Sequence, residues 1–240
     1  MGLRSLISFL TIIPAGRGSL EEASRSLYLS PVVGLIEGAA AVLLAYALED
    51  LPRHVAAAML LAYHAVVTGG LHLDGFSDYV EVLASRARGE DAERIIKDPR
   101  RGSFSITYTT ILLILRYTLL LEVLASPTLL LPSYIAAAQS LYVYIAASRG
   151  RGRGLAAMFK AGSSSMRERI YNTIIYLALQ ASTLQLPGAG YGRVAVIAAT
   201  PLLAVPVAID SWRRMGRPSG DAAGFSYEVV LTSALLVGLP

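Results

Sequence analysis

The sequence predicts an all-α integral membrane protein, a polytopic helical bundle of six to seven transmembrane helices preceded by an N-terminal interfacial helix. Hydrophobic residues make up 54% of the 240 residues and charged residues only 16%, and the mean hydropathy is +0.54. A soluble domain carries about 25% charged residues. No repeat or linker divides the chain, so we treat residues 1–240 as one integral membrane domain.

Seven apolar runs are candidates for transmembrane helices, since about 17–25 mostly apolar residues cross the hydrocarbon core. They are Pro31–Leu48, Val55–Leu71, Ile106–Leu124, Thr128–Ala147, Ile170–Leu186, Val194–Ile209 and Ala222–Leu239. Asn172, Gln180 and Gln185 interrupt the fifth run, so six spans also fit the sequence. Leu3–Ile13 is too short to cross and no small-residue cleavage site follows it, which predicts an interfacial or re-entrant helix rather than a signal peptide.

The basic residues alternate between the two ends of these runs. All but three of the 21 Lys and Arg residues lie before run one, or between runs two and three, four and five, or six and seven. The exceptions are Arg53, Arg193 and Arg116, the last of which falls inside run three. Short loops rich in Lys and Arg stay cytoplasmic. The pattern therefore predicts a multi-pass protein of the cell membrane, with its N-terminus and its polar segments facing the cytoplasm.

The basic character does not indicate nucleic-acid binding. The net charge is +4 and the isoelectric point is near 9.4, but the basic residues follow the topology and lack interleaved aromatic residues for base stacking. Such loops suit anionic lipid or a phosphate-bearing substrate. The absence of cysteine excludes disulfides, thiolate metal sites and cysteine nucleophiles. The oligomeric state, including a homo-oligomer, stays open.

Three carboxylates follow the second apolar run at intervals of about one helical turn. Asp74, Asp78 and Glu81 stand at i, i+4 and i+7 and therefore share one face of a helix, where like charges repel unless a cation lies between them. Oxygen ligands suit Mg²⁺, Mn²⁺ or Ca²⁺, and Mg²⁺ commonly combines a few carboxylates with substrate phosphate. We predict a divalent-metal site for phosphate chemistry. The alternative is a solvated face paired with Arg86 and Arg88.

A turn before the third run contains Lys97-Asp98-Pro99-Arg100-Arg101. Asp98 either supplies a further metal ligand or orients an arginine. Arg100 and Arg101, with Lys97, are candidates for binding phosphate oxygens, which guanidinium groups hold in a bidentate manner. The alternative is a structural helix stop in a loop whose basic residues only follow the topology.

The last apolar run is preceded by Gly220 and Asp221, where Asp221 either binds a ligand or caps the helix. Glu228 stands seven residues further on and is predicted to face the same side, slightly inside the membrane. An ionisable residue within a span is a functional candidate. A Glu37–Arg116 pair would explain those two residues by structure alone.

Three smaller features complete the set of candidates. Arg149 and Arg151, between runs four and five, either face a phosphate or follow the topology, and the sequence leaves both open. His72 is the histidine that adjoins the acidic residues. Gly34 and Gly38 have the small-xxx-small spacing that favours close packing between membrane helices.

Five motifs occur along the chain in a characteristic order. They are Ser8-Phe9-Leu10-Thr11 with Pro14, Pro31-Val32-Val33-Gly34-Leu35, Gly69-Gly70-Leu71-His72-Leu73-Asp74-Gly75 with Asp78, Lys97-Asp98-Pro99-Arg100 with Gly102-Ser103-Phe104, and Gly220-Asp221 with Gly224 and Glu228. Together they resemble the cobalamin synthase family, whose members are adenosylcobinamide-GDP ribazoletransferases. The resemblance implies a membrane enzyme that uses Mg²⁺ to join α-ribazole, or its 5′-phosphate, to adenosylcobinamide-GDP and releases GMP.

The resemblance also implies roles for individual residues. The positions that correspond to functional residues of the family are Asp74, Asp78, Asp98, Arg100, Asp221 and Glu228. A ribose hydroxyl of α-ribazole would attack the phosphorus attached to cobinamide, with Mg²⁺ held by Asp74, Asp78 and Glu81, phosphate held by Arg100, and the proton accepted by Glu81 or His72. The chain departs from the family at Glu81, where an aspartate is usual, and lacks a clear Ser-Arg signature near Ser140, for which Arg149 or Arg151 is the candidate replacement.

Two other function classes fit parts of the pattern. A CDP-alcohol phosphotransferase also clusters aspartates on a helix at the membrane edge, but its Asp-Gly is followed by Ala-Arg, whereas Asp74-Gly75 is followed by Phe76-Ser77-Asp78. An ion or metal transporter would place Glu37, Arg116 and Glu228 along its path. Most carboxylates instead gather on one predicted side of the membrane, as expected of an enzyme with polar substrates.

Overall fold

The computed structural model describes residues 2–16, 18–98, 100, 102–150, 154–163, 165–188 and 190–239. These residues form thirteen α-helices and no β-strand, which confirms the predicted all-α class. The helices are α1 (Gly2–Leu10), α2 (Leu20–Arg25), α3 (Ser30–Ala47), α4 (Arg53–Val67), α5 (Leu71–Ala84), α6 (Gly89–Lys97), α7 (Ser103–Val123), α8 (Leu130–Ala147), α9 (Leu155–Gly162), α10 (Met166–Thr183), α11 (Tyr191–Ala199), α12 (Ala204–Met215) and α13 (Gly220–Val237).

The protein is a multi-pass membrane protein. Within the described ranges, four helical segments are long and apolar enough to cross a bilayer, namely Leu27–Ala47, Ser103–Val123, Pro127–Ala147 and Tyr191–Met215. Helices α4 and α5 meet the same test together, but they are bent by 89° and form either a fifth, broken span or a re-entrant loop. The count is below the predicted six to seven because α4 turns sharply into α5 and because polar and charged residues punctuate α10 and α13.

Helix α8 lies at the centre of the bundle and is buried along most of its length, with α3, α12 and α13 packed around it. The backbone of α3 approaches it closely at two glycines. A Cβ atom on Gly38 would lie 3.0 Å from the Cα atom of Leu131, and Gly34 leaves no room for a side chain beside Tyr134. This contact confirms the packing role predicted for Gly34 and Gly38.

A cluster of charged side chains lies inside the bundle. Arg116 of α7 and Glu228 of α13 are 1% and 0% exposed, and Nη1 of Arg116 lies 2.5 Å from Oε2 of Glu228. His64 of α4 contacts Oε1 of Glu228 through Nε2 at 3.0 Å. Nη2 of Arg116 also donates to the Thr232 hydroxyl at 2.7 Å. The cluster therefore joins α4, α7 and α13.

The predicted pair between Glu37 and Arg116 is wrong. Oε2 of Glu37 accepts a hydrogen bond from the Tyr227 hydroxyl at 2.5 Å, and the backbone carbonyl of Glu37 accepts one from the Tyr63 hydroxyl at 2.7 Å. Glu37 and Arg116 therefore bind different residues of α13. Tyr227 donates a hydrogen bond to Glu37, and the next residue, Glu228, pairs with Arg116.

Helices α1, α2 and α9 form a small layer beside the core of the bundle. The Ser163 hydroxyl, just after α9, donates to the backbone carbonyl of Ser24 in α2 at 2.7 Å. The rings of Phe9 in α1 and Phe159 in α9 lie 5.0 Å apart between centroids. This layer covers the ends of α5, α8 and α13 and closes one side of the cavity described next.

Candidate active site

The acidic helix α5 begins where the chain turns out of α4. Gly69 and Gly70 have φ values of 60° and 72°, a left-handed backbone that glycine adopts far more easily than other residues. Two such residues in succession permit the 89° bend. Asp74, Asp78 and Glu81 all lie on the helix that follows, which confirms the helix predicted to carry them.

The three acids line two neighbouring cavities. Asp74 lines a cavity of about 150 Å³ among α1, α5, α8, α9 and α13, together with Asp221; we call it the apolar cavity. Asp78 and Glu81 line a cavity of about 130 Å³ that also contains Arg100; we call it the polar cavity. Asp74 and Asp78 are separated by about one helical turn. The two cavities therefore meet along one short stretch of α5.

Asp98 orients Arg100 in the polar cavity. Its Oδ1 accepts hydrogen bonds from the backbone amide and Nε of Arg100 at 2.9 and 3.0 Å, and its Oδ2 accepts one from Nη2 at 2.8 Å. These bonds from the guanidinium and the amide lower the pKa of Asp98 to about 2. Asp98 is therefore ionised at neutral pH. Of the two roles left open by the sequence, orientation of an arginine is the one seen here.

Glu81 holds the beginning of α7. Its Oε2 accepts a hydrogen bond from the backbone amide of Ser105 at 2.6 Å, an arrangement favoured by the positive end of the helix dipole. The Ser105 hydroxyl contacts the Ser77 hydroxyl of α5. The carboxylate also lies against Gly102, which leaves no room there for a side chain. One oxygen of Glu81 is thus engaged by protein.

The residues predicted to hold a metal ion are divided between the two cavities. Within the part of the chain that the structure describes, no group of three or more His, Asp or Glu side chains is arranged to hold a metal ion. Mg²⁺ is usually held by one or two carboxylates plus substrate phosphates. Asp78 and Glu81, which line the same cavity, fit that arrangement once phosphate oxygens supply the remaining ligands.

Helices α5 and α13 touch through their backbones beside the apolar cavity. A Cβ atom on Gly75 would lie 3.0 Å from the carbonyl oxygen of Asp221, and one on Gly224 would lie 3.1 Å from the Cα atom of Gly75. This contact brings Asp74 and Asp221 into one cavity lining. Ser219, not Asp221, caps α13, because its hydroxyl accepts from the Asp221 amide at 3.2 Å and donates to Oδ2 of Asp221 at 2.7 Å.

Replacing Gly75 by alanine is expected to lower the free energy of unfolding by about 1–3 kcal/mol, the usual cost of overpacking a close contact. The added carbon meets backbone atoms of α13, which cannot rotate away. Thermal unfolding of the purified protein in detergent measures the effect. Gly192→Ala is the matched control, since a Cβ atom there meets no atom within 4 Å. Equal stability of the two variants would contradict the close packing.

The structure does not bring Glu228 into either cavity. Its carboxylate is buried and bound by Arg116 and His64, so the substrate contact predicted for it is corrected to an ion pair inside the bundle. The prediction placed Glu228 on the same side as Asp221, and the sequence could not show that α4 and α7 supply its partners. Gly220 does line the apolar cavity with Asp221.

Two of the other predicted phosphate contacts, Lys97 and Arg149, have partners elsewhere on the protein. Arg101 and Arg151 lie outside the described residues. Nζ of Lys97 lies 3.6 Å from an oxygen of Glu93 on the surface of α6. The guanidinium of Arg149 lies 5.7 Å from the centre of the Trp212 ring. Among the predicted cations that the structure describes, Arg100 lines the polar cavity, whereas Lys97 and Arg149 do not.

Several residues of the apolar cavity escaped sequence reasoning. Its walls include Leu141, Ile145 and Phe159, which are ordinary apolar residues of apolar helices and give no signal in a single sequence. His72, noted for its position beside the acids, lies in the same lining and is 2% exposed. Its ring stacks on that of Tyr227 with 4.0 Å between centroids, and its Nε2 atom has no hydrogen-bond partner.

A family profile described as cobalamin-5-phosphate synthase matches residues 2–239. The chain belongs to the cobalamin-5-phosphate synthase family. A relative from Geotalea daltonii, named adenosylcobinamide-GDP ribazoletransferase, is 32% identical over 91% of this chain and 88% of its own length. A relative of the same name from Stutzerimonas stutzeri is 33% identical over 97% of this chain and 95% of its own length. No solved structure matches the chain.

Membership of the cobalamin-5-phosphate synthase family confirms the resemblance carried by the five motifs, and with it the prediction of a membrane transferase of cobalamin biosynthesis. The match includes every residue that lines the two cavities. Both cavities, and the stretch of α5 that joins them, therefore belong to the part of the chain shared with the family.

Proposed function

We propose that the protein is an adenosylcobinamide-GDP ribazoletransferase, which joins α-ribazole or its 5′-phosphate to adenosylcobinamide-GDP and releases GMP. Two relatives with that name align with this chain over 88% and 95% of their own length. The observation that carries the proposal is the pair of cavities on α5. One is apolar with carboxylates in its lining, and the other holds carboxylates and an oriented arginine, which suits two substrates that meet at one helix.

The reaction exchanges a phosphoanhydride bond for a phosphate ester bond. The ribose hydroxyl oxygen of α-ribazole forms a bond to the phosphorus attached to cobinamide. The bond from that phosphorus to the bridging oxygen breaks, and GMP leaves with the bridging oxygen. Arg100, held in place by Asp98, binds the phosphate oxygens through its planar guanidinium group. Glu81, which lines the same cavity, accepts the proton of the hydroxyl.

Asp78 is the residue that would hold Mg²⁺ together with the diphosphate of the substrate, since Mg²⁺ is commonly held by one or two carboxylates and substrate phosphates. An ion bound there would neutralise the negative charge that develops on the leaving phosphate. Asp74 lies one turn away at the mouth of the apolar cavity. With Asp221 it orients the ribose of the acceptor, because ionised carboxylates accept hydrogen bonds from hydroxyl groups.

The site faces the cytoplasm of a cell in this proposal, and the membrane is the cell membrane. The support is the alternation of basic residues, which places the connection that carries Arg100 on the side enriched in Lys and Arg. The same side contains the α1, α2 and α9 layer. Labelling of a cysteine introduced at exposed Arg94 in intact cells, compared with one introduced at Arg53, measures this orientation. Labelling at position 94 by an impermeant reagent would contradict it.

The function is tested with purified protein in lipid nanodiscs, incubated with adenosylcobinamide-GDP and α-ribazole with and without Mg²⁺. GMP and a cobalamin product are expected in equal amounts, only when both substrates are present, and chelation of the metal is expected to stop both. Release of GMP without α-ribazole would indicate a hydrolase. Transfer from a CDP-alcohol to a lipid alcohol would favour the other phosphotransferase class.

A further inference from the structure

We propose that the apolar cavity binds the aromatic base of the acceptor nucleoside, with the benzimidazole ring of α-ribazole lying among α1, α8 and α9. This assignment rests on the proposed function, and it deepens that function by giving each substrate its own cavity. The observations behind it are the size and walls of the cavity, one unpartnered polar atom, and the carboxylates in its lining.

The walls of the cavity suit a flat uncharged ring. They include Phe9, Leu27, Leu141, Ile145 and Phe159, and the cavity volume is about 150 Å³. A cavity of about this volume with walls of Leu, Ile and Phe binds benzene. Phe9 and Phe159, whose rings lie 5.0 Å apart between centroids, both belong to these walls, and aromatic side chains favour contact with a further ring.

The polar groups of the cavity match the few polar atoms of this base. Nε2 of His72 has no protein partner although the residue is 98% buried, and a buried polar atom without a partner costs about 1–3 kcal/mol. A dimethylbenzimidazole joined to ribose through one ring nitrogen has a single acceptor, the other ring nitrogen. His72 lines the cavity, and a rotation of its ring that brings the buried Nε2 atom to the cavity surface lets that atom donate a hydrogen bond to this nitrogen. Asp74 and Asp221 then lie beside the ribose.

The other groups of the two substrates fit this cavity poorly. Guanine carries several donors and acceptors on its edges, and burying them between Leu and Phe side chains without partners is unfavourable. A corrin macrocycle is far larger than about 150 Å³, the volume of the cavity. The diphosphate requires cations, and the polar cavity supplies Arg100. Among the groups of the two substrates, the base of the nucleoside is therefore the one whose size and polarity fit the apolar cavity.

A pair of neighbouring alanines in α9 provides the test. Ala156 lines the apolar cavity and Ala157 does not. Ala156→Leu fills part of the cavity and is expected to raise KM for α-ribazole by about tenfold or more, the usual discrimination of an apolar pocket against added methylene groups. KM for adenosylcobinamide-GDP is expected to stay within about twofold of its original value. Ala157→Leu is expected to leave both values unchanged. A riboside of benzimidazole without methyl groups is expected to lose less affinity in Ala156→Leu than α-ribazole does.

Equilibrium dialysis of radiolabelled α-ribazole against the full chain in nanodiscs separates this proposal from the proposed function. Binding to the original protein, weakened about tenfold by Ala156→Leu, supports the nucleoside site even if no GMP is formed. Three results with an active Ala156→Leu variant would overturn the proposal. They are an equal rise of both KM values, a rise of KM for adenosylcobinamide-GDP alone, and no change in either KM. Phe159→Leu removes an aromatic wall and serves if Ala156→Leu does not fold. It is expected to weaken α-ribazole binding several-fold and to leave adenosylcobinamide-GDP binding unchanged.

Discussion

Asparagine at Asp74 or Asp78 is expected to reduce ribazole transfer by about a thousandfold, while the protein still folds and inserts into the membrane. Asp78→Asn removes a charge that stabilises the transition state, which costs about 4 kcal/mol, a factor of about a thousand in rate. Asp74→Asn removes a group that positions the attacking ribose, and positioning contributes at least as much. Neither position belongs to the packed core of the bundle, so stability is expected to stay close to that of the original protein. GMP release and cobalamin formation measure the loss.

The two variants are expected to fail in different ways because the acids line different cavities. Asp78→Asn is expected to raise the Mg²⁺ concentration needed for half-maximal activity, since Asp78 shares the polar cavity with Glu81 and Arg100. Asp74→Asn is expected to raise KM for α-ribazole. Asp91→Asn on the exposed face of α6, where the side chain is 73% exposed, is the matched control and keeps full activity. Normal GMP release by either active-site variant would refute the assignment.

Methionine at Arg116 is expected to lower the free energy of unfolding by about 3–5 kcal/mol, the cost of leaving one member of a buried ion pair without its partner. Glu228 is 0% exposed, and Arg116 is the cation of its ion pair, while His64 supplies a hydrogen bond. Without the guanidinium, the carboxylate must take up a proton or remain charged in the bundle. Unfolding of the purified protein by heat or by denaturing detergent measures the loss.

The double variant Arg116→Met with Glu228→Met is expected to recover much of this stability, because apolar residues of similar volume commonly replace a buried ion pair at little cost. Its transfer activity is also expected to recover, since neither residue lines a cavity. A double variant no more stable than the single one would contradict the ion-pair account. A stable double variant without transfer activity would return Glu228 to the substrate site.

The sequence predicted the helix that carries the three acidic residues, but it did not predict their division between two cavities. Asp74, Asp78 and Glu81 share a helix because the spacing of their side chains is a local property. Their assignment to two cavities depends on the rotation of that helix against α13, which is set by the contact of Gly75 with Gly224. A helical period shows which residues share a face, but it does not show which neighbouring element covers that face.

The bend after the second apolar run escaped prediction for a related reason. The apolar run Val55–Leu71 looks continuous, and hydrophobicity alone does not report a change of direction. The structure ends α4 at Val67 and turns the chain at Gly69 and Gly70. Glu228 likewise stood out as an unusual acid in an apolar run, but its partner Arg116 is more than a hundred residues away, where periodicity gives no information.

The elbow between α4 and α5 has a consequence for where the reaction takes place. A straight continuation of α4 would place Glu81 roughly 20 Å beyond Val67, at 1.5 Å per residue, well clear of the lipid headgroups. If α4 lies along the membrane normal, the right-angled turn instead keeps the acidic residues close to the level of Val67. An amphiphilic reactant that spreads over the membrane surface then reaches the enzyme by a search in two dimensions rather than three.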